Sequence, residues 1–374
     1  MIIRTELLQE SCAQILNAVD SNVLSAITET LEIEAHNKML RMAVTNREYF
    51  VDIHFGIESD EEIHATINAN LFLKLISKVT SETIELLVVD NSLLVKCNGD
   101  YKLPLIYEGA ELLSIPRIDI ENVTEEFDVE SNILRSLVHY NSKELNKGTI
   151  SKPIQKMYYI DNKGAITFTS GACVNGFDID MKSRVLLNDK LVKLFKLFKD
   201  DKVKMTIGHN QLSKDVIATV VSFETPEIYI SSVLSCDDTM LVNYPVDAIR
   251  GRATAVYKYG VPVNKSILMQ AIERLTLFNA ESSIDEYKTI IKMIFGSESV
   301  TISDRMGINQ EEIPYNSNSP LVEDEYVAFI DSSDLSKTLA SCTNQFVNIN
   351  FGNSQAFVLS EGNIRWVIPE CQES

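Results

Sequence analysis

Between residues 187 and 199 the sequence LNDKLVKLFKLFK places Lys190, Lys193, Lys196 and Lys199 three residues apart, while Leu191, Leu194, Phe195 and Phe198 form an apolar stripe on the same helix. Ammonium groups so arranged suit one task, neutralising a polyanion such as a nucleic-acid backbone without reading bases. Taken alone, the same lysines are equally a solvated helix face. A membrane-surface helix fits less well, because the stripe is needed to cover a sheet.

Covalent chemistry has no comparable signal. The sequence contains no GxxxxGK(S/T) phosphate loop, GxGxxG fingerprint, HExxH helix or GxSxG elbow, and its five histidines (His36, His54, His64, His139, His209) are scattered. His54 and His64 lie ten residues apart with acidic residues between them, which reads as two solvated strand or loop histidines rather than a metal pair. The six cysteines (Cys12, Cys97, Cys173, Cys236, Cys342, Cys371) form no CxxC pair and suit a reducing compartment as small core residues. Acidic runs at 58–62 and 121–126 read as solvated loops. No catalytic residue, metal or cofactor is expected.

A chain of 374 residues exceeds the size at which single cores stop growing, so two or three domains are expected. With 45% hydrophobic and 23% charged residues it has a globular composition. No window is apolar enough for a membrane span, and the start, MIIRTELLQE, lacks a signal-peptide profile, so the expected location is the cytoplasm. The net charge of −19 excludes a simple sequence-reading DNA binder; contact with nucleic acid must use locally segregated positive charge.

The elements that would position the lysines recur. Starting at Leu71, Leu191 and Leu335, a short amphipathic helix pattern is followed by alternating strands. The expected helix faces carry the pairs Leu71 and Leu75, Leu191 and Phe195, Leu335 and Leu339, and the strands that follow carry Ile84, Leu86 and Val88, then Val203, Met205 and Ile207, then Val347, Ile349 and Phe351. Before each unit stands a similar half: a helix-like stretch (8–19, 133–138, 267–275), then a strand at 40–46, 165–170 or 299–304. The expectation is an α+β chain of three repeated domains, each with two helices packed on antiparallel sheets, spanning 1–124, 125–250 and 251–374. The polar segments 121–126 and 247–254 mark the boundaries, and 309–325 reads as an exposed loop within the third domain.

Several stretches, taken in order, resemble the bacterial-type DNA sliding clamp, the β subunit of the replicative polymerase, over essentially the whole chain. These are ATINANLFLKLISKVTSETIELLVVDNSLLVKCNGDYKLPL (65–105), TLEIEAHNKMLRMAVTN (30–46), SKPIQKMYYI (151–160), AITFTSGACVNGF (165–177) and the terminal RWVIPE (365–370). Each motif is loose; their order and spacing carry the match. The resemblance implies a non-enzymatic processivity factor, a homodimer closed head to tail into a ring around duplex DNA, serving a DNA polymerase and a clamp loader without reading sequence.

That resemblance assigns the DNA-facing positions to Lys74, Lys78, Arg135, Lys190, Lys193, Lys196, Lys199, Arg274 and Lys337. It assigns a partner-peptide pocket to Thr169, Gly171, Pro245, Ile249, Ile368 and Pro369, with Trp366 nearby. The dimer interface would set Tyr101 and Leu103 against Leu277, Phe278 and the strand at 289–295. Read without the family, the pocket residues simply close a sheet and the interface residues are ordinary core. The sequence also departs from the family. Its basic loop after the first helix is reduced to DSNVLSAI (20–27), the second domain keeps only Lys152-Pro153-Ile154, and the first helix carries Glu6 and Glu10 with no Lys or Arg. GACVNGF offers no clean match to the family's Gly-His-Arg-Leu, and Glu370 replaces a usual apolar residue. The alternative is a clamp-like protein-binding scaffold that does not encircle DNA.

Overall fold

A computed structural model of the chain describes residues 1–19, 26–141, 157–168, 171–214, 216–234, 245–279, 289–317, 320–353 and 355–372. One order of elements occurs three times: a strand, a helix, four strands, a second helix and three strands. The first copy comprises β1 (Ile2–Arg4), α1 (Thr5–Ile15), β2 (Thr30–His36), β3 (Met39–Thr45), β4 (Tyr49–Gly56), β5 (Ile63–Asn68), α2 (Ala69–Ile76), β6 (Thr83–Val89), β7 (Ser92–Lys96) and β8 (Asp100–Pro104). A hairpin of β9 (Tyr107–Glu108) and β10 (Glu111–Leu112) leads towards the second copy. That copy comprises β11 (Asn122–Glu130), α3 (Ser131–Ser136), β12 (Met157–Asp161), β13 (Gly164–Phe168), β14 (Ala172–Gly176), β15 (Val185–Asn188), α4 (Asp189–Lys193), β16 (Lys202–Ser213), β17 (Val216–Glu224) and β18 (Ile228–Leu234). After α5 (Val246–Thr254) come β19 (Tyr259–Asn264), α6 (Lys265–Asn279), β20 (Ile290–Phe295), β21 (Ser299–Asp304), β22 (Gln310–Pro314), β23 (Tyr326–Asp331), α7 (Ser332–Ser341), β24 (Phe346–Phe351), β25 (Ala356–Glu361) and β26 (Ile364–Pro369).

The strand-to-helix corners share one cause. Asn68, Asn188, Asn264 and Asp331 end strands, and each side-chain oxygen accepts the backbone N–H three residues on, at 2.8–3.2 Å, starting the helix that follows. All strand pairing is antiparallel, and the chain is α+β.

The chain forms two compact units: Met1–Leu134 with Leu194–Ser235, and Arg135–Lys193 with Cys236–Ser374. The second copy therefore contributes β11 and β16–β18 to the first unit and β12–β15 to the second. In the first unit the strand order β1-β6-β7-β8 makes one sheet and β11-β16-β17-β18-β4-β3-β2-β5 another. In the second unit the orders are β15-β12-β13-β14-β26-β25-β24-β19 and β22-β21-β20-β23. Each eight-stranded sheet is thus sewn across two copies, by β4 with β18 (Phe50 opposite Ser231, Asp52 opposite Tyr229) and by β14 with β26 (Ala172 opposite Val367, Val174 opposite Arg365).

In the first unit Phe195 lies 4.6 Å from Phe223 and 6.1 Å from Phe198, ring to ring, all fully buried. The second unit centres on Phe295, 4.1 Å from Phe351 and 5.6 Å from Phe357.

Several local expectations change. In α2 the buried face is Phe72, Leu73 and Ile76, and Leu71 is 54% exposed, because the Asn68 cap fixes the helix start and with it which face turns inward. Val88, expected to face the core, is 42% exposed near the end of its strand. The polar segment 121–126 is mostly strand β11, 247–254 is helix α5, and 310–314 is strand β22 rather than loop. Polar side chains there serve exposed strands and a surface helix, which composition does not distinguish from loop. Helix 187–199 shortens to α4 followed by a tighter 3-10 turn over Leu194–Leu197.

Phe223 sits amid the aromatic cluster, so Phe223→Ala should cost about 3–5 kcal/mol. Urea unfolding followed by circular dichroism checks this; a loss below about 1 kcal/mol would place Phe223 outside the core.

Candidate functional site

Lys190, Lys193, Lys196 and Lys199 are all exposed, while Leu191, Leu194, Phe195 and Phe198 are buried, as the stripe requires. The division between the units falls after Lys193, so these lysines belong to both. Their charges are not equally available. Lys193 pairs with Asp189 one turn back. Lys199 Nζ lies 2.5 Å from Glu10 of α1 and, by hydrogen bond and charge, holds that carboxyl below its ordinary range. Lys196 makes no ion pair among the described residues, and neither do Lys74 and Lys78, exposed on α2 and just beyond it. Arg135 is exposed on α3. Arg274 of α6 forms a bidentate pair with Glu311 at 2.6 and 2.8 Å, and Lys337 of α7 lies 3.7 Å from Asp334. Sequence spacing could not reveal this neutralisation, because Glu10 and Glu311 arrive from other elements.

The pocket residues divide between the two faces of one sheet. Around β14 and β26 one face gathers Tyr159, Ile166, Phe168, Ala172, Val174, Ala356, Val358 and Val367, with Met157, Val246, Ile249 and Tyr257 half-buried against it. Ile249 of α5 is therefore on this face, and exposed Pro245 precedes the helix, its carbonyl accepting the Ile249 N–H at 2.9 Å. Trp366 and Ile368 are buried on the opposite face, in the second unit's main core. Alternation along β26 puts Val367 on the face that carries Ile249 and its two neighbours, Trp366 and Ile368, on the other. Pro369 is exposed at the strand's end, and Thr169 lies outside the described residues. Gly171 approaches the backbone of β26 so closely that a Cβ would sit 1.9 Å from the Val367 carbonyl oxygen.

Helix α5 is anchored beside this face by Arg250, whose guanidinium makes two 2.6 Å hydrogen bonds to Asp161. Burial opposes the charged form of Asp161, but Arg250, the Lys163 N–H and the Tyr159 hydroxyl together hold its carboxyl below the ordinary range. Glu370 shows the reverse: burial raises its carboxyl, against a 2.6 Å hydrogen bond donated by Tyr326.

At the expected dimer interface Tyr101 of β8 is half-exposed, and Leu277 and Phe278 of α6 are 70% and 53% exposed. Leu103 is buried within its own chain. The strand at 289–295 corresponds to β20, which is paired on both sides, with β21 and β23, and has no free edge. The free edge of that sheet next to β21 belongs to β22.

Among the described residues no group of three or more His, Cys, Asp or Glu side chains could hold a metal ion; His64 instead meets Glu32 at 3.0 Å. No helix among them is long and apolar enough to cross a membrane.

Because the folded carboxyl of Asp161 ionises below its ordinary pH, its contribution to stability is full above the unfolded carboxylate range and is lost as pH falls through the lowered value. Asp161→Asn should therefore cost on the order of 1–3 kcal/mol at neutral pH and progressively less towards about pH 2. Thermal melts of both proteins across that range check this; a difference independent of pH would contradict it.

No protein-family model matches the sequence, and no curated protein matches it. Solved structures do. The DNA polymerase sliding clamp of Bacillus subtilis superposes with a TM-score of 0.74 at 17% identity, the DNA polymerase III subunit beta of Pseudomonas aeruginosa with 0.78 at 15%, and the beta subunit of Thermotoga maritima with 0.77 at 12%. Each match covers 100% of this chain and 99% of the other. From end to end, then, the chain has the fold of the bacterial sliding clamps.

Proposed function

We propose that the chain is a DNA sliding clamp: a non-enzymatic, cytoplasmic processivity factor whose homodimer closes into a ring around duplex DNA and tethers a polymerase. The observation that carries this reading is an interrupted pattern of strand pairing. β4 pairs with β18 and β14 with β26, so the third of the four strands between the helices of one copy twice meets the last strand of the next copy. Their counterparts in the remaining copies, β22 and β8, are end strands. A second chain supplies what is missing, β22 of one subunit pairing with β8 of the other, and two such joints close a head-to-tail dimer. By the register of the two joints within the chain, Tyr101 would lie opposite Glu311 and Lys102 opposite Gln310 of the partner. The exposed Leu277 and Phe278 would be covered by the same contact. The three copies of the element order begin at β1, β11 and β19, which supports three domains close to 1–124, 125–250 and 251–374.

Sliding requires weak contacts to phosphates and none to bases. Lys74, Lys78 and Lys196 are the main lining candidates, joined by Arg135, Lys190, Lys193, Lys199 and Lys337, with Arg274 already neutralised by Glu311. The apolar face around Ala172 and Val367, rimmed by Ile249, Val246 and Pro245, is where an extended peptide from polymerase or clamp loader would dock.

Two variants test this reading. Leu277→Asp with Phe278→Asp alters side chains already exposed in the single chain, so it should leave the fold intact and yield monomers by sedimentation; an unchanged dimer would misplace the joint. Lys193→Glu with Lys196→Glu should keep the dimer yet shorten retention on circular duplex after loading, and reduce the dependence on salt by roughly 0.9 log unit per lost phosphate contact. Identical retention and salt slopes would favour the non-encircling scaffold.

A further inference from the structure

The segment after β10, Leu113-Ser114-Ile115-Pro116-Arg117-Ile118, has no regular secondary structure, yet it is held across a sheet as a bound peptide would be. It lies on the face where β4 meets β18. Ile115 is buried with Ala43, Phe50 and Tyr229, and Ile118 packs against the same cluster. The sheet also reads the segment's backbone. Thr66 donates to the Leu113 carbonyl at 2.6 Å, Tyr229 donates to the Ile118 carbonyl at 3.0 Å, and Glu32 accepts the Ile115 N–H at 3.3 Å. The Arg117 guanidinium stands 3.8 Å over the Tyr229 ring and 3.9 Å from Asp52, which also pairs with Arg41 at 2.7 Å. Glu32 and Asp52 are both almost fully buried, so two carboxylates are committed to this face.

This face is the register counterpart of the one around Val367. In the β3–β4 hairpin the last pair is Thr45 with Phe50, and in the β13–β14 hairpin it is Phe168 with Ala172, which makes Ala43 equivalent to Ile166 and Phe50 to Ala172. Ala43 and Phe50 lie beneath the strap; Ile166 and Ala172 belong to the face proposed above to take partner peptides.

We propose that residues 113–118 are an internal ligand, an autoinhibitory strap that closes at the first junction a groove built like the one at the second. Beneath the strap each chain therefore holds a latent groove for an extended segment with isoleucine-sized side chains three residues apart and a cation beside the second. The equivalence of the two grooves rests on the partner-groove reading, whereas the occupancy of the first does not. Tethering keeps the strap at high local concentration, so a competing peptide meets an open groove only in a small fraction of molecules.

The test supplies the strap in trans. A labelled synthetic peptide of residues 112–120 is titrated by fluorescence anisotropy, without DNA or polymerase, against the wild-type chain and against Ile115→Ser/Arg117→Ala/Ile118→Ser. The variant should bind the peptide saturably and at least about tenfold more tightly than wild type, and a peptide carrying serine at both isoleucine positions should not compete. Equal binding to both proteins, or none to a variant that still melts cooperatively, overturns the proposal. If the triple variant does not fold, Arg117→Ala alone, which keeps both isoleucines, should bind more tightly than wild type, and equal affinity overturns it. A ring reading that fails on DNA leaves this measurement untouched.

Discussion

A β-strand at the edge of a sheet carries a row of unpaired backbone groups, and that constraint organises this molecule. Among the described residues, six end strands of the four larger sheets, β1, β5, β11, β15, β19 and β23, occupy the same two places in all three copies and are edges in each. The other two, β8 and β22, are edges although their counterparts are paired inside the chain. In the proposed ring, the joint made twice internally and left open once would be made by a second chain, a heterologous contact that gives a closed ring when the rotation permits and a filament when it does not.

The second physical theme is the separation of charge. A chain of net charge −19 does not attract nucleic acid as a whole, so any attraction is confined to exposed lysines on the short helices. Even there acidic partners temper it: Glu10 takes Lys199, Asp189 takes Lys193 and Glu311 takes Arg274. For the proposed ring, which would move along its ligand, weak lining contacts would be an asset, since topology rather than affinity would retain it. The buried ionic groups follow a different logic. Asp161 with Arg250 and Asp52 with Arg41 and Arg117 fasten the segments that join successive copies, where a carboxylate without its arginine would be costly.

Much of the fold was legible. Hydrophobic periodicity located the helices and the alternating strands, and the repetition of both halves followed from residues such as Val203, Met205 and Ile207 against Val347, Ile349 and Phe351, all buried. The corner residues Asn68, Asn188, Asn264 and Asp331 were a further signal, cap residues at strand ends, that sequence reading passed over. What sequence could not supply was parity and partnership. Whether Trp366 or Val367 shares a face with Ile249 depends on a register that one residue of slip reverses. Whether Arg274 is free depends on a carboxylate from another strand. Which strand of the last small sheet is open depends on its order, in which β20 is interior and β22 terminal.

The central claim is topological linkage, and its most direct measurement is release upon linearisation. Labelled protein is loaded by its own loader onto a closed circular duplex, isolated with the DNA, and followed as a restriction enzyme cuts the circle once at constant salt. A ring held by encirclement stays on the intact circle and runs off the free ends promptly after cutting. Retention that is the same before and after the cut would show a protein bound to the surface of DNA, and would contradict the account.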